Sequence, residues 1–278
     1  MSAVLPTPNI KGRAPLSRAR AVQLTRWGII AAIIVFMELY GRFFADPAFM
    51  QPVTAILKAW VDPIMSDPRI RWALGLTVFE IGVAYLLSIV VGFVVGVGIG
   101  ATNLSRKSLY PIILLLYAVP QVSLMPLVVL LFGLGPAAKI FFGFSHGVFP
   151  IIVNTVAGMR NVNQLYMRAA SSMGATRMQV IRHVLFPNMV PAFFVGLRLA
   201  MTLTLLGVIL AELYVSTGGI GYFTRLYAES YNPAPLFALI GSLAIIAVVF
   251  NEIVRVAERR LTPGREASPT VTIAKETT

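Results

Sequence analysis

Residues Gly143 to Gly147 read GFSHG, the G-x-S-x-G spacing that sets a serine on a nucleophile elbow, here with His146 beside Ser145. An elbow needs a strand, a sharp turn and a helix, with acid and base partners arriving from elsewhere in the chain. This GFSHG lies inside an apolar run of helical length, and the other histidine, His183, falls in a polar stretch. The pattern therefore predicts small residues that let helices pack closely, not acyl transfer. The chain has no cysteine, which excludes disulfides, thiolate nucleophiles and cysteine-held zinc or iron–sulfur centres. Two histidines are too few and too isolated for most metal sites. Neither H-E-x-x-H nor G-x-x-x-x-G-K-[ST] occurs, so no helical zinc protease and no Walker A phosphate cradle is encoded. No catalytic residue, metal ligand or cofactor site is expected in this chain, and any energy source must be a partner or an ion gradient.

Ionisable groups inside apolar runs are the next candidates, because they are costly in hydrocarbon and usually face a bundle interior or a wet cavity. Glu38, Glu80, Arg198, Glu212 and Glu252 qualify. All but Glu80 lie within two turns of a span end, where pairing at the interface competes with a role in gating or permeation. The run LYPIILLLYAVPQVSLMPLVVLLFGLGPAAK is punctuated by Pro111, Pro120, Pro126 and Pro136, with Gln121 and Ser123 near its centre. Each proline removes a backbone donor and bends a helix, and bent helices at membrane depth are tolerated where they are packed in protein or line a wet cavity. Pro120, Gln121, Ser123, Pro126, Asn154, Arg198, Thr202 and Glu212 are accordingly the candidate lining of a polar pathway. A simple packing kink is the alternative reading of the prolines.

The elements that must position these groups are membrane helices. Only 12% of the 278 residues are charged and 57% belong to the apolar set, against about 25% charged in soluble domains. A helix needs about 20 mostly apolar residues to cross hydrocarbon, and six runs qualify: 24–44, 74–101, 109–133, 137–158, 191–215 and 236–256. With the N-terminus inside, sixteen of the 23 Lys and Arg fall on cytoplasmic segments. Six, among them Lys139, fall on outer segments or outer helix ends. That bias places both termini in the cytoplasm and accounts for the net charge of +12 without nucleic acid. The basic head and first apolar run resemble a signal peptide, but FMELYGRFF offers no small-x-small cleavage site, so the first helix is expected to be retained. The expected organisation is all-α and polytopic. An N-terminal tail (1–23) precedes a six-helix domain (24–257) that carries a cytoplasmic loop (159–190), and a C-terminal tail (258–278) follows. Gly92, Gly96 and Gly100 form a repeated G-x-x-x-G face for close helix approach, whose neighbour the sequence does not name. On the outer side, Ile56, Leu57, Trp60, Val61 and Ile64 predict a short amphipathic helix, and STGGIGYFTRLYAESYNPAP is a second outer stretch. Either stretch serves as an interface anchor or as a receiving surface for a partner.

The cytoplasmic loop is too long for a plain helix connection and too patterned for a linker. NQLYMRAASSM and TRMQVIRHVLF carry apolar residues at helical spacing, Leu165, Ala169, Ala170 and Met173 in the first and Met178, Ile181, Val184 and Leu185 in the second. Gly174 separates them as a C-cap, Asn163 and Thr176 are N-caps, and Pro187 is expected to stop the second helix. Two short helices at a glycine corner, bearing apolar and basic surface, suit a groove in another protein.

At these residues the chain resembles the membrane-spanning subunits of binding-protein-dependent ABC importers. Their loop reads E-A-A, three residues, Gly, nine residues, then I-x-L-P. Arg168, Ala169, Ala170, Gly174, Val184, Phe186 and Pro187 fall at the matching positions, with Arg168 where the pattern has Glu. The resemblance extends over residues 50 to 257. SLYPIILLLYAVPQVSLMPLVVLLFGLGPAAKI, FPIIVNTVAGMRNV and GLRLAMTLTLLGVILAELYVSTGGIGY are similar to the branch that imports nitrate, sulfonates and taurine. The resemblance implies a permease subunit of a bacterial inner membrane, paired with a second, identical permease subunit. Two cytoplasmic ABC ATPase subunits, holding ATP and Mg, would receive the coupling loop, and an extracytoplasmic solute-binding protein would deliver a small solute. A secondary transporter or channel driven by an ion gradient is the rival reading. Matching broken helices in two inverted halves would favour that rival, and the later half has no counterpart to the proline-rich run.

Overall fold

The structure is a computed structural model that describes residues 15–261; the expected tail residues 1–14 and 262–278 lie outside the described residues. Every regular element among the described residues is helical. In chain order these are α1 (Pro15–Phe43), α2 (Val53–Ala59), α3 (Pro68–Gly100), α4 (Asn103–Ala118), α5 (Met125–Phe132), α6 (Pro136–Arg160), α7 (Gln164–Ser172), α8 (Arg177–Val180), α9 (Phe186–Val215), α10 (Ile220–Glu229) and α11 (Pro233–Leu261). Two segments expected as tail are helical: α1 starts at Pro15, and α11 runs on to Leu261.

Five helices are long and apolar enough to cross a membrane, and α4 with α5 makes a sixth, bent span. The third span was expected as one kinked helix over 109–133. Instead α4 and α5 meet at 80°. The residue before a proline is driven out of the α region, and Val119, before Pro120, sits at φ −64°, ψ 130°. A short 3₁₀ turn (Gln121–Leu124) follows, and α5 restarts with Pro126 in its first turn, where a missing N–H costs nothing.

α6 is the central helix, packed along α3 on one side and α9 on the other. The G-x-x-x-G face finds its neighbour within the chain. A Cβ on Gly92, Gly96 or Gly100 would lie 2.8, 2.7 or 2.6 Å from Ile151, Thr155 or Met159, three residues spaced by four on α6. Across the other contact, a Cβ on Gly207 of α9 would lie 3.0 Å from the Cα of Gly143. Gly143 and Gly147 of GFSHG are therefore points of close approach, Gly147 against the Thr204 and Ser88 side chains, and His146 Nδ1 is 2.8 Å from the Phe142 carbonyl in its own helix. Ile81, Ala84, Ile151, Ala200, Met201 and Val208 fill the seam between α3, α6 and α9.

The outer layer is built on α2 and α10. α2 ends in a π turn (Trp60–Ile64), and the amphipathic face expected there is divided. Ile56, Trp60 and Ile64 pack in a cluster with Ile220 and Leu239, while Leu57 and Val61 point away. Trp60 Nε1 donates to Ser242 Oγ of α11 at 2.8 Å. Glu38 of α1 caps α2 from outside by accepting from Thr54 N–H (3.0 Å) and Thr54 Oγ1 (2.9 Å), and it also pairs with Arg42 at 2.9 Å. Its role is thus the interfacial pairing that its place near a span end allowed. The membrane-length part of α1 buries none of its apolar side chains in the chain, so lipid or another subunit must cover them.

Candidate functional site

The cytoplasmic loop folds as its caps dictate. Asn163 Oδ1 accepts from Leu165 N–H at 2.9 Å and starts α7. At the other end Ala175 N–H donates to Ala170 O and Gly174 N–H to Ser171 O, both at 3.0 Å, with Gly174 at φ +70°. This is a Schellman ending, and it needs the left-handed conformation that glycine adopts without cost. Thr176 and Gln179 then form a reciprocal box: Thr176 N–H donates to Gln179 Oε1 at 2.8 Å, and Gln179 N–H to Thr176 Oγ1 at 3.4 Å.

Pro187 does not stop the second helix. A π turn (Ile181–Leu185) joins α8 to α9, with Phe186 N–H donating to Ile181 O, and Pro187 takes a first-turn position of α9. A proline ends a helix when its absent N–H breaks the ladder; here the change of register removes the need for that donor. Residues 188–190, between the expected stop at Pro187 and the expected fifth span, are therefore helical.

The underside of the loop is fixed by Met167, Val180, Ile181, Val184 and Leu185, which pack with Met159, Val162 and Met189. Its other face is open. Leu165, Met173 and Met178 are exposed, Met173 by 85%, and form the apolar part of that open surface. Ala170, Gly174, Gln179, His183 and Val184 line a groove of about 400 Å³. Arg168 and Ala169 are exposed beside it, and Arg168 has no ion-pair partner among the described residues. Phe186 and Pro187 are exposed at the start of α9.

The pathway candidates fall at four places. Pro120, Gln121, Ser123 and Pro126 surround the break between α4 and α5. Gln121 Nε2 donates to Ser145 O at 3.1 Å, and Ser145 Oγ donates back to Gln121 Oε1 at 3.0 Å. Asn154 is half-buried, its amide donating to Pro150 O at 2.9 Å. Arg198 and Thr202 share an exposed strip of α9, with Arg198 3.5 Å from Glu258. Glu212 lies apart from all of these, with 0% exposure.

Glu212 belongs to a cluster with Glu80, named from the sequence as an ionisable group inside an apolar run, and with Lys139, which sequence reasoning missed. Lys139, counted from the sequence as an outer cation, is 1% exposed, and Glu80 is 0% exposed. Lys139 Nζ stands 2.5 Å from Glu80 Oε1 and 3.9 Å from Glu212 Oε1, and it donates to Gly218 O at 3.1 Å. Glu212 accepts from Thr77 Oγ1 (2.7 Å) and Gly221 N–H (2.8 Å), and Thr77 Oγ1 accepts from Ile220 N–H at 2.9 Å. Glu80 Oε2 has no hydrogen-bond partner among the described residues. The cluster thus joins α3, α6 and α9 and holds the outer loop 216–219, whose Gly219 sits at φ +104° against the Glu212 carboxylate. The available signal was a lysine one turn into an apolar run, in a chain with two carboxylates in other runs.

The family described as binding-protein-dependent transport system inner membrane component matches residues 88–263. The taurine transport system permease protein TauC of Escherichia coli (strain K12) is 31% identical, over 91% of this chain and 93% of that protein. The nitrate import permease protein NrtB of Leptolyngbya laminosa is 28% identical, over 96% of this chain and 100% of its own length. Among solved structures, a bacterial ABC transporter involved in the import of the acidic polysaccharide alginate matches 88% of this chain and 99% of its own, with TM-score 0.60 at 16% identity. The MetNI methionine ABC transporter, in an inward-facing conformation, matches 70% of this chain and 97% of its own, with TM-score 0.57 at 20% identity.

Proposed function

The chain belongs to the family of binding-protein-dependent transport system inner membrane components, and on that premise we propose that it pairs with an identical copy to pass a small anionic solute across a bacterial inner membrane. It is a multi-pass permease subunit of an ABC importer, a family in which ATP hydrolysis belongs to a separate subunit. The solute is of the nitrate, sulfonate or taurine class, a reading supported by curated relatives named as taurine, nitrate and aliphatic sulfonate permease proteins. An extracytoplasmic binding protein delivers it to the outer layer of α2 and α10. Two cytoplasmic ATPase subunits, holding ATP and Mg, each receive one α7–α8 corner. Residues 24–257 act as one mechanical unit, with the loop 159–190 as its handle.

One observation carries this reading: the corner continues as helix, through the π turn, into α9. A 30-residue helix is about 45 Å long, so a push at Met178 to Arg182 reaches Glu212 without crossing a flexible joint. The α7 end is tied to α6 through Met159 and Val162, and α6 is packed on α9 at glycine contacts, so the two spans move together. A two-state bundle is driven from 1:99 to 99:1 by about 5.5 kcal/mol of differential binding, which closure of two ATPases on ATP must supply. Gln121, Ser123, Asn154, Arg198 and Thr202 then meet the solute on surfaces that the second copy closes, with Pro120 and Pro126 shaping the break. Glu212 serves instead in holding the outer loop.

The chain has no cysteine, so Ala170→Cys gives a single attachment point in the groove. We expect it to cross-link to the ATPase subunit, and uptake to require that subunit and ATP. Uptake that persists without any ATPase, or a groove that yields no cross-link, would overturn this assignment in favour of an ion-driven carrier.

A further inference from the structure

The sequence holds no Asp or Glu between Glu80 and Glu212, so the cations of this half have no carboxylate nearby in the chain. Three of them converge. The cytoplasmic ends of α4 and α6 enclose a cleft of about 460 Å³, lined by Arg106, Lys107 and Tyr110 from one side and by Val156, Arg160 and Asn161 from the other. The side chain of Arg106 donates to the neutral amide of Asn103, and Lys107 and Arg160 form no ion pair among the described residues. Three like charges around one concavity repel one another until an anion enters. The floor is apolar: Val156 is buried, and Tyr110 and Ala157 are half-buried. The cleft lies where two spans meet the cytoplasm, at headgroup depth, and basic pockets between helices at that level take anionic headgroups.

We propose that this cleft binds the phosphodiester headgroup of an anionic phospholipid, with Arg106, Lys107 and Arg160 on the phosphate oxygens, Asn161 as a neutral donor and the apolar floor against the glycerol end. The cleft shares no lining residue with the coupling groove, and the proposal is tested apart from the transport assignment because it is read by binding alone.

The test uses the full chain in nanodiscs or mild detergent, with binding of phosphatidylglycerol and phosphatidylcholine measured by native mass spectrometry or a fluorescent lipid titration. Phosphatidylglycerol should bind more tightly, and Lys107→Gln and Arg160→Gln should each weaken it about five-fold, and together about twenty-five-fold, at low salt. Arg160→Lys keeps the charge and should retain binding. Arg259→Gln, an exposed cation at the end of α11, should leave it unchanged. Equal binding of the two lipids, or an equal loss with Arg259→Gln, would refute a defined site. Displacement of the lipid by millimolar inorganic phosphate would overturn the lipid assignment in favour of a soluble phosphate site.

Discussion

Replacing Lys139 with Met removes the ammonium from a place that water does not reach. The shape of the stem is kept, so packing changes little. Glu212 retains Thr77 Oγ1 and Gly221 N–H, but Glu80 loses its ion pair at 2.5 Å, and its second oxygen has nothing to turn to. Removing one partner of a buried ion pair costs about 3–5 kcal/mol, most of it the charge left behind. Gly218 O also loses one of its two donors, at 3.1 Å, worth about 1 kcal/mol or less because Ser216 Oγ still donates to it. Glu80→Gln alone should be milder, because Lys139 keeps Gly218 O and still has Glu212 at 3.9 Å. The double variant Lys139→Met with Glu80→Gln leaves no unpaired charge at that position, and it should recover about 2 kcal/mol or more relative to Lys139→Met. Reversible denaturant unfolding in mild detergent measures the cycle, and limited proteolysis at 216–219 reports the loop. A Lys139→Met variant within about 0.5 kcal/mol of the parent would refute the cluster as an energetic unit. So would a double variant whose cost is the sum of the two single costs.

Gly96→Val places methyl groups where a Cβ alone would already lie 2.7 Å from Thr155, and it should cost about 1–3 kcal/mol or displace α3 from α6. Gly98→Val, two residues on with nothing within 4 Å, should stay within about 0.5 kcal/mol in the same unfolding assay. Gly174→Val forces a branched side chain to φ +70° and should cost about 1–2 kcal/mol at the corner, while Gly174→Asn is close to neutral. The same Val variant should still insert in the membrane and hydrolyse ATP in complex with its ATPase, with less solute moved per ATP; an unchanged ratio would refute the hinge. Asp67, the N-cap of α3, is held below the ordinary carboxylate range, first by the Arg69 guanidinium and then by the Arg69 N–H. A lowered native pKa means that the cap is complete at neutral pH and is lost as pH falls through that value. Hydrogen exchange at the first turn of α3 should therefore quicken in acid, and Asp67→Asn should remove that dependence.

Much of the molecule is legible in the sequence because its signals are local. A span is announced by about 20 consecutive apolar residues, its direction by nearby Lys and Arg, and a helix end by one capping residue. Thus five of the six expected spans, the Asn163 and Thr176 caps and the Gly174 corner fall where the sequence puts them, while the third breaks into α4 and α5. Local signals failed where a neighbour or a change of register decided the outcome. Pro187 reads as a stop, but the π turn before it absorbs the missing donor. Lys139 reads as an outer cation, but packing against Glu80 and Glu212 buries it.

The sequence by itself determined that this chain is helical, that its runs are long and apolar enough to cross a membrane, and where its capped glycine corner lies. Tertiary structure alone decided what the glycine stripe packs against and how sharply the proline-rich span breaks. It alone brought Glu80, Lys139 and Glu212 together. Those three are separated by 59 and 73 positions, and taken singly Glu80 reads as a lone charge inside an apolar run and Lys139 and Glu212 as charges near span ends. Only the packing of α3, α6 and α9 excludes water from all three at once, and in that dry seam their charges must answer one another.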